Sequence, residues 1–262
     1  MYSEIQNKFT PLDLLFFRGT EILSNTISVL EAKMNGNGDF SHVGVLINSE
    51  LIPTVPQLKP GRWYVWESTI SSTSVLIENL TDGAVNVENG RGTIGVQIRD
   101  LEEVIGYYTK DGGKVAWGQL LNNPWTQTQD FPKQREDLIK RVCVVHKLVG
   151  TRTYDFNILA LLASIFPCLR KPRDVFNEIM INGYSLLVSW KLPSNDVKAD
   201  TSPTPAGWLF CSELVAIIYQ RVGVLAADVN PQNVVPIDFL GYDQDGKSGI
   251  SKITQDPVYL KP

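Results

Sequence analysis

Length, composition and charge are those of an ordinary globular protein. The 262 residues are enough for one large domain or two small ones, and a hydrophobic content of 43% is enough for a packed core. The net charge is −4 and no long basic run is present. This argues against nucleic acid as the main partner, because phosphate binding needs clustered Lys and Arg.

Three further features bear on the compartment. Residues 1–8 lack the apolar core of a secretory signal, and the longest apolar segment, 156–169, is too short to span a bilayer. The cysteines, Cys143, Cys168 and Cys211, are odd in number and lack the spacing of a zinc site, which favours a reducing compartment over a disulfide scaffold. We therefore expect a cytoplasmic or otherwise intracellular protein without a transmembrane segment, a metal or a cofactor.

The N-terminal part of the chain predicts two strands. The segment 13–19 is apolar and closed by glycine, which indicates a buried strand. A short helix is predicted over 20–30, and the Asn- and Gly-rich segment 35–39 predicts a loop. The segment 40–47 then predicts a second strand.

His42 lies on this second predicted strand, close to a glycine. Side chains alternate along a strand, so His42 and Gly44 share one face. Because glycine has no side chain, Gly44 leaves room for another group to approach the imidazole.

A carboxylate lies on the next predicted strand, 63–68. Glu67 shares its face with Trp63 and Val65, so we expect it to be partly buried, and a buried carboxylate needs a partner. The alternative interpretation is a glutamate on an edge strand that faces water.

The middle of the chain predicts an insertion, two strands and a helix. Residues 69–92 contain turn dipeptides and predict an insertion of short strands and turns. Strands are predicted at 95–99 and 114–120, and a helix with an apolar stripe at 132–149. On that helix we expect His146 to be a half-buried core histidine, because nothing near it in sequence forms a site.

The C-terminal part predicts helices around a second insertion. An apolar helix is predicted at 155–166, and the charged, then Pro-, Ser- and Thr-rich segment 170–206 predicts a short helix followed by a surface loop. A helical pattern covers 214–222, and an extended arm is predicted at 230–239.

Cys211 lies at or near the start of the helix at 214–222. Unpaired N–H groups and the positive end of the helix dipole favour the thiolate, which is the nucleophile of cysteine hydrolases. Such an enzyme also needs a histidine to share the proton and a polar group to orient that histidine, and His42 and Glu67 could supply them. The alternative is that Cys211 is a small buried hydrophobic residue, as most free cysteines are.

Three short motifs occur in order along the chain: Ser-His-Val-Gly-Val at 41–45, Trp-Glu-Ser at 66–68 and Phe-Cys-Ser-Glu-Leu-Val at 210–215. Together they resemble the permuted NlpC/P60-like papain-fold cysteine hydrolases, specifically the YiiX/YaeF-like branch. The strand at 13–19, the Tyr-Asp pair at 154–155 and the arm at 231–239 are also similar to segments of that group.

The resemblance implies a fold and a domain organisation. It implies an α+β, circularly permuted papain-like (NlpC/P60) fold, in which an antiparallel sheet or small barrel packs against helices. The single domain would span 1–262, with insertions at about 69–92 and 170–206.

The resemblance also implies catalytic roles. Cys211 would attack an acyl carbonyl, His42 would activate Cys211 and protonate the leaving group, and Glu67 would hold the imidazole in the right tautomer. A glutamate in this role departs from the Asn or His of many papain-like enzymes. The expected substrate contacts are Tyr154, Ser41 and Phe210.

Three functions remain open at this point. The leading hypothesis is a peptidase or amidase that acts on a small peptide, amide or acyl substrate through a thioacyl intermediate. A lipid thioesterase or acyltransferase with peripheral lipid contact is the second, because the permuted family includes lecithin:retinol acyltransferase-like enzymes. The third is a binding module without turnover. Since the family occurs in bacteria and large DNA viruses, a virion is a further expected location if the chain is viral.

Several aromatic side chains bear on the choice between these functions. They would line an acyl groove in the second hypothesis, whereas core packing is their ordinary role. The aromatic residues concerned are Trp63, Trp66, Tyr107, Tyr108 and Trp117.

Overall fold

A computed structural model describes residues 2–18, 40–69, 85–90, 95–110, 112–150, 210–241 and 250–261. The strands in these ranges are β1 (Leu14–Arg18), β2 (His42–Ile47), β3 (Tyr64–Thr69), β4 (Gly95–Asp100), β5 (Lys114–Gly118) and β6 (Val258–Leu260). The α-helices there are α1 (Tyr2–Ile5), α2 (Leu101–Lys110), α3 (Pro124–Gln127), α4 (Pro132–Val149) and α5 (Cys211–Val222). Short 3-10 helices cover Gln6–Lys8, Pro231–Asn233 and Pro236–Leu240.

The six strands form one sheet in the order β4-β3-β2-β1-β5-β6, and every neighbouring pair is antiparallel. The expected α+β architecture, an antiparallel sheet packed against helices, is therefore confirmed for the described residues. At one side of this sheet, β2, β3 and the edge strand β4 are neighbours both in sequence and in space.

Both faces of the sheet are buried, which explains why β1 is apolar at successive positions. Leu14 and Phe16 belong to a core with side chains of α4 and α5. Leu15 and Phe17 point the other way and pack with side chains of α2. The two periodicities, two for strands and 3.6 for helices, thus place apolar stripes against each other.

The helix predicted at 132–149 is confirmed with the same bounds, and its buried stripe contains Leu138, Val142, Val145 and Val149. The strand predicted at 114–120 ends earlier, at Gly118, after which Leu120 makes only an isolated bridge to Thr254.

The extended arm predicted at 230–239 is wrong. This segment instead forms the two 3-10 helices that begin at Pro231 and Pro236. The Asn230 side chain accepts from the backbone N–H of Gln232, and Asp238 accepts from the backbone N–H of Val235, so each turn is closed by a side chain.

Several predicted elements fall outside the described residues. These are the helix at 20–30, the loop at 35–39, the helix at 155–166, the segment 170–206 and most of the insertion at 69–92. Within that insertion the structure describes 85–90, where Asn86 forms an isolated bridge to Arg99 of β4.

Two buried polar side chains, Asp13 and Tyr219, fix the start of β1. The Asp13 carboxylate accepts hydrogen bonds from Trp117 Nε1 at 2.9 Å and from the backbone N–H of Leu120 at 3.0 Å. Burial outweighs these bonds and raises the pKa of Asp13 to about 6. On the other side, the Tyr219 hydroxyl of α5 donates to the Leu12 carbonyl at 2.6 Å. The second contact anchors α5 against the strand that pairs with β2.

Gly44 is where β3 approaches β2 most closely. A Cβ atom there would lie 2.5 Å from Val65 Cγ2 and 3.1 Å from Glu67 Cβ. The room that the missing side chain leaves is therefore filled by β3 itself, which brings Glu67 towards His42. Glu67 is therefore the group that approaches the imidazole beside Gly44.

We expect Gly44→Ala to lower the free energy of unfolding by about 1–3 kcal/mol, because the added methyl group overpacks the contact between β2 and β3. Urea unfolding of the two proteins measures the difference. Gly106→Ala is the matched control, since a Cβ there meets no atom within 4 Å and alanine favours a helix by about 0.5–1 kcal/mol. Equal effects of the two substitutions would contradict the close approach.

Candidate active site

Cys211 is the first residue of α5 and is 5% exposed. Glu213 accepts a hydrogen bond from the backbone N–H of Phe210 through Oε2 at 3.3 Å, which satisfies one donor at the helix start. Glu213 is thus a capping residue, and the sulfur lies at the positive end of the helix dipole.

His42 begins β2, and its side chain has two polar neighbours. Nε2 lies 2.6 Å from Glu67 Oε2. The Cys211 side chain is close enough to the imidazole for each group to shift the pKa of the other. The ring of Phe17 packs against the imidazole with the ring centroids 5.2 Å apart. The structure therefore brings together the three residues that the sequence singled out.

Arg99 is a fourth member of the site that the sequence reasoning missed. Glu67 is fully buried, and its second oxygen, Oε1, accepts hydrogen bonds from the Arg99 guanidinium on β4. The register pairs Val65 with Arg99, so Arg99 is diagonal to Glu67 on the same face of the sheet. The sequence contained two signals: a basic residue at the end of one predicted strand, and a glutamate on another predicted strand that needed a partner.

The electrostatics favour an ion pair between sulfur and imidazole. Burial alone lowers the pKa of His42, but the negative charges of Cys211 and Glu67 outweigh burial and raise the pKa to about 9. Burial raises the pKa of Cys211, whereas His42 and hydrogen bonds from the backbone of Val43 and Ser212 lower it, and the net shift is downward. Both shifts favour the charged pair of thiolate and imidazolium over the neutral pair.

Glu67 is ionised in the same range. Burial raises its pKa, but the charge of Arg99 and the contact with His42 lower it below the ordinary value for glutamate. The acid therefore acts as a hydrogen-bond acceptor towards both neighbours.

The predicted substrate contacts have different outcomes. Ser41 is 8% exposed and precedes His42, and its backbone N–H donates to the Phe17 carbonyl at 2.9 Å. Phe210 is 6% exposed and precedes Cys211. Both are next to the reacting groups in sequence, while Tyr154 lies outside the described residues.

His146 is half-buried, as expected, and lies on α4. Its ring packs against Trp66 with centroids 5.5 Å apart, and Nε2 lies 3.1 Å from Glu88 Oε1. It thus joins the core and the segment 85–90 rather than the thiolate pair.

The aromatic residues considered for an acyl groove are largely core residues. Trp66 is 1% and Trp117 6% exposed. Trp63 and Trp117 both pack against Phe9, with ring centroids 5.8 and 5.3 Å away. Core packing is therefore the role that the structure shows for these tryptophans.

The described residues contain no group of three or more His, Cys, Asp or Glu side chains that could hold a metal ion. Among the helices in the described ranges, none combines the length and the apolar character needed to cross a membrane.

No protein-family model and no curated protein matches the chain. Among solved structures the chain is similar to the crystal structure of the metalloprotein yiiX from Escherichia coli O157:H7, with a TM-score of 0.39 and 12% identity over 96% of both chains.

We expect Cys211→Ser to lower the pKa of His42 from about 9, because the largest favourable charge beside the imidazole is removed. A change of more than about one unit is expected for a buried ion pair. The chain has only two histidines, so NMR titration of the imidazole signals reports His42 directly, with His146 as the internal reference.

Cys143→Ser is the matched control for this titration. Cys143 lies on α4, where its sulfur accepts a hydrogen bond from Thr54 Oγ1 at 3.7 Å. The control should leave the pKa of His42 unchanged, and an unchanged pKa in Cys211→Ser would show that no thiolate faces the ring.

Proposed function

We propose that the protein is a cysteine hydrolase that cleaves an amide bond, as a peptidase or amidase, through the triad Cys211, His42 and Glu67. The observation that carries the proposal is the buried cluster at the start of α5, in which Glu67 lies 2.6 Å from one ring nitrogen of His42 and the Cys211 side chain interacts with the same imidazole. A nucleophile, a base bonded to it and a third group that orients the base are the parts that covalent acyl transfer requires.

The proposal includes a circularly permuted papain-like domain. In papain-like enzymes the cysteine starts a helix and the histidine lies on a sheet packed against that helix. Here α5 starts at Cys211 and packs against β2 and β3, which carry His42 and Glu67. The order along the chain is reversed, but catalytic geometry does not depend on chain order.

The first half of the reaction forms a thioester. The Cys211 thiolate attacks the carbonyl carbon, and the carbonyl electron pair moves to oxygen as a tetrahedral intermediate forms. His42 then gives its Nδ1 proton to the leaving amine, the C–N bond breaks and the acyl group stays on sulfur. The backbone N–H of Cys211, at the start of α5, supplies an oxyanion donor worth about 3 kcal/mol by analogy with other hydrolases.

The second half releases the acid. With the proton gone, neutral His42 takes a proton from water, and the hydroxide oxygen attacks the thioester carbon. The C–S bond breaks, the carboxylic acid leaves and the thiolate–imidazolium pair is restored. Throughout, Glu67 holds Nε2 and keeps Nδ1 directed at the reacting atoms.

The same thiolate could also act on a thioester or ester, as a lipid thioesterase or acyltransferase. The burial of Trp63, Trp66 and Trp117 in packed clusters removes the main argument for an acyl groove, and amide cleavage is therefore preferred. The proposal also includes a reducing compartment, because Cys211 must remain a free thiol.

We expect short peptides or simple amides to be turned over, and intact-mass spectrometry to show the acyl group on Cys211 during turnover. Cys211→Ala and His42→Ala should each lower the turnover number by at least about 10³-fold, because each removes a member of the reacting pair. Parallel assays with acyl thioesters separate the amidase from the thioesterase.

Cys143→Ala is the control and should keep full turnover. Undiminished turnover in Cys211→Ala would remove the hydrolase mechanism. Slow alkylation of Cys211 by iodoacetamide at pH 6 would instead favour a binding module, because an ordinary thiol with a pKa of about 8.5 is nearly inert at that pH, whereas an ion-paired thiolate reacts quickly.

A further inference from the structure

We propose that Arg99 is a positioning residue of this site, which holds Glu67 ionised and in place so that Glu67 can in turn stabilise the charged pair of His42 and Cys211. The inference deepens the proposed function and rests on it for its catalytic meaning. Its physical content concerns the charge on Cys211, which can be measured without any substrate.

The first step is that Glu67 needs a cation. Its side chain is fully buried, and burial favours the neutral acid. A neutral acid would lose its Coulombic attraction for a cationic imidazole. The orienting role therefore depends on a permanent positive charge, which arginine supplies because it is never deprotonated in proteins.

The second step is that the position of Arg99 allows it to supply this charge. Its Nε and Nη2 atoms both contact Glu67 Oε1, which leaves Oε2 for His42. Arg99 is 4% exposed, so water does not screen the contact effectively. On the outer side of β4, Asn86 forms a bridge with Arg99, which fixes the backbone that carries the guanidinium.

The third step is that the charges alternate in sign along the row of four side chains from Cys211 to Arg99. The order is Cys211 (negative), His42 (positive), Glu67 (negative) and Arg99 (positive), and the sum is zero. The other ionisable groups near the guanidinium are Tyr107 and Tyr108, both from α2. Without Arg99 the row would carry an uncompensated negative charge in the interior.

The consequence passes from one group to the next. Removal of Arg99 raises the pKa of Glu67, since burial is no longer opposed by a cation. Protonated Glu67 then supports the imidazolium less, and a neutral imidazole supports the thiolate less. The pKa of Cys211 should therefore rise although Arg99 does not contact the sulfur.

Gln97 provides a matched control on the same strand. It lies directly opposite Glu67 in the register and is 1% exposed, like Arg99 a buried polar residue on that face. Its amide has no hydrogen-bond partner in the part of the chain that the structure describes. Gln97→Met thus perturbs the same region without changing its charge.

The experiment measures the rate at which iodoacetamide alkylates Cys211 between pH 4 and 9 in the full chain. Cys143 and Cys168 are replaced by serine so that Cys211 is the only thiol. The pH midpoint of the rate reports the thiolate. We expect Arg99→Met to raise the midpoint by more than about one unit, which is about a tenfold loss of rate at any pH below both midpoints.

We expect Gln97→Met to leave the midpoint unchanged and Arg99→Lys to keep it close to that of the unsubstituted protein, because lysine retains the charge. Equal midpoints for Arg99→Met and Gln97→Met would overturn the proposal. Circular dichroism of each variant shows whether it is folded.

A second measurement needs no variant, in case Arg99→Met fails to fold. The side-chain carboxyl carbon of Glu67 is followed by NMR against pH, and we expect it to stay ionised below the ordinary glutamate pKa of about 4.3. Protonation of Glu67 near neutral pH would overturn the proposal.

The outcomes also separate this inference from the proposed function. A low Cys211 midpoint that depends on Arg99, in a protein that hydrolyses nothing, would keep the positioning role and remove the hydrolase. Amide turnover with the same turnover number and pH profile in Arg99→Met would keep the hydrolase and remove the positioning role.

Discussion

A row of four buried ionisable side chains is the constraint on which the rest of this structure depends. Arg99, Glu67, His42 and Cys211 are each less than 10% exposed, and each contacts the next. An isolated ion in the interior costs several kcal/mol, and only close contact with an opposite charge offsets that cost. The row therefore tolerates little displacement of any member, and it sets the register of three strands and the position of one helix.

The fold meets this constraint with ordinary packing. The pairing of β2 with β3 and of β3 with β4 sets the spacing of the imidazole, the acid and the guanidinium. Gly44 permits the close approach of β3. Two side-chain hydrogen bonds hold α5, the helix that carries the sulfur. Ser212 Oγ donates to the Val234 carbonyl at 2.6 Å, and the Tyr219 hydroxyl donates to the Leu12 carbonyl. Hydrogen bonds from buried side chains thus fix the helix more sharply than apolar contacts alone would.

The sequence predicted the features that depend on local patterns. A cysteine before a helical stripe, a histidine on an apolar strand and a glutamate among aromatic neighbours were recognisable because each signal lies within one element. Arg99 was not recognised, because its role depends on which strands are neighbours, and strand order is not written in local periodicity. For the same reason the sequence predicted room beside Gly44 but not which group would approach there, since Val65 and Glu67 belong to another strand.

The prediction of an extended arm at 230–239 was wrong for a different reason. A segment with several prolines and few helix formers predicts extended chain, although proline also suits the first position of a helical turn. Asn230 and Asp238 each close a turn through the side chain, which is a short-range signal that the sequence did contain. The partner of Arg99 depends on the tertiary structure, whereas the side chains that close these turns lie within the segment itself.

The position of Cys211 along the chain has a consequence for the newly made protein. During synthesis the imidazole, the acid and the guanidinium leave the ribosome long before the sulfur does. Until the last helix docks, Cys211 is an ordinary thiol in water with no cation beside it, and it is therefore a weak nucleophile. The interactions that lower the pKa of Cys211 thus arise only when α5 docks against the strands made earlier.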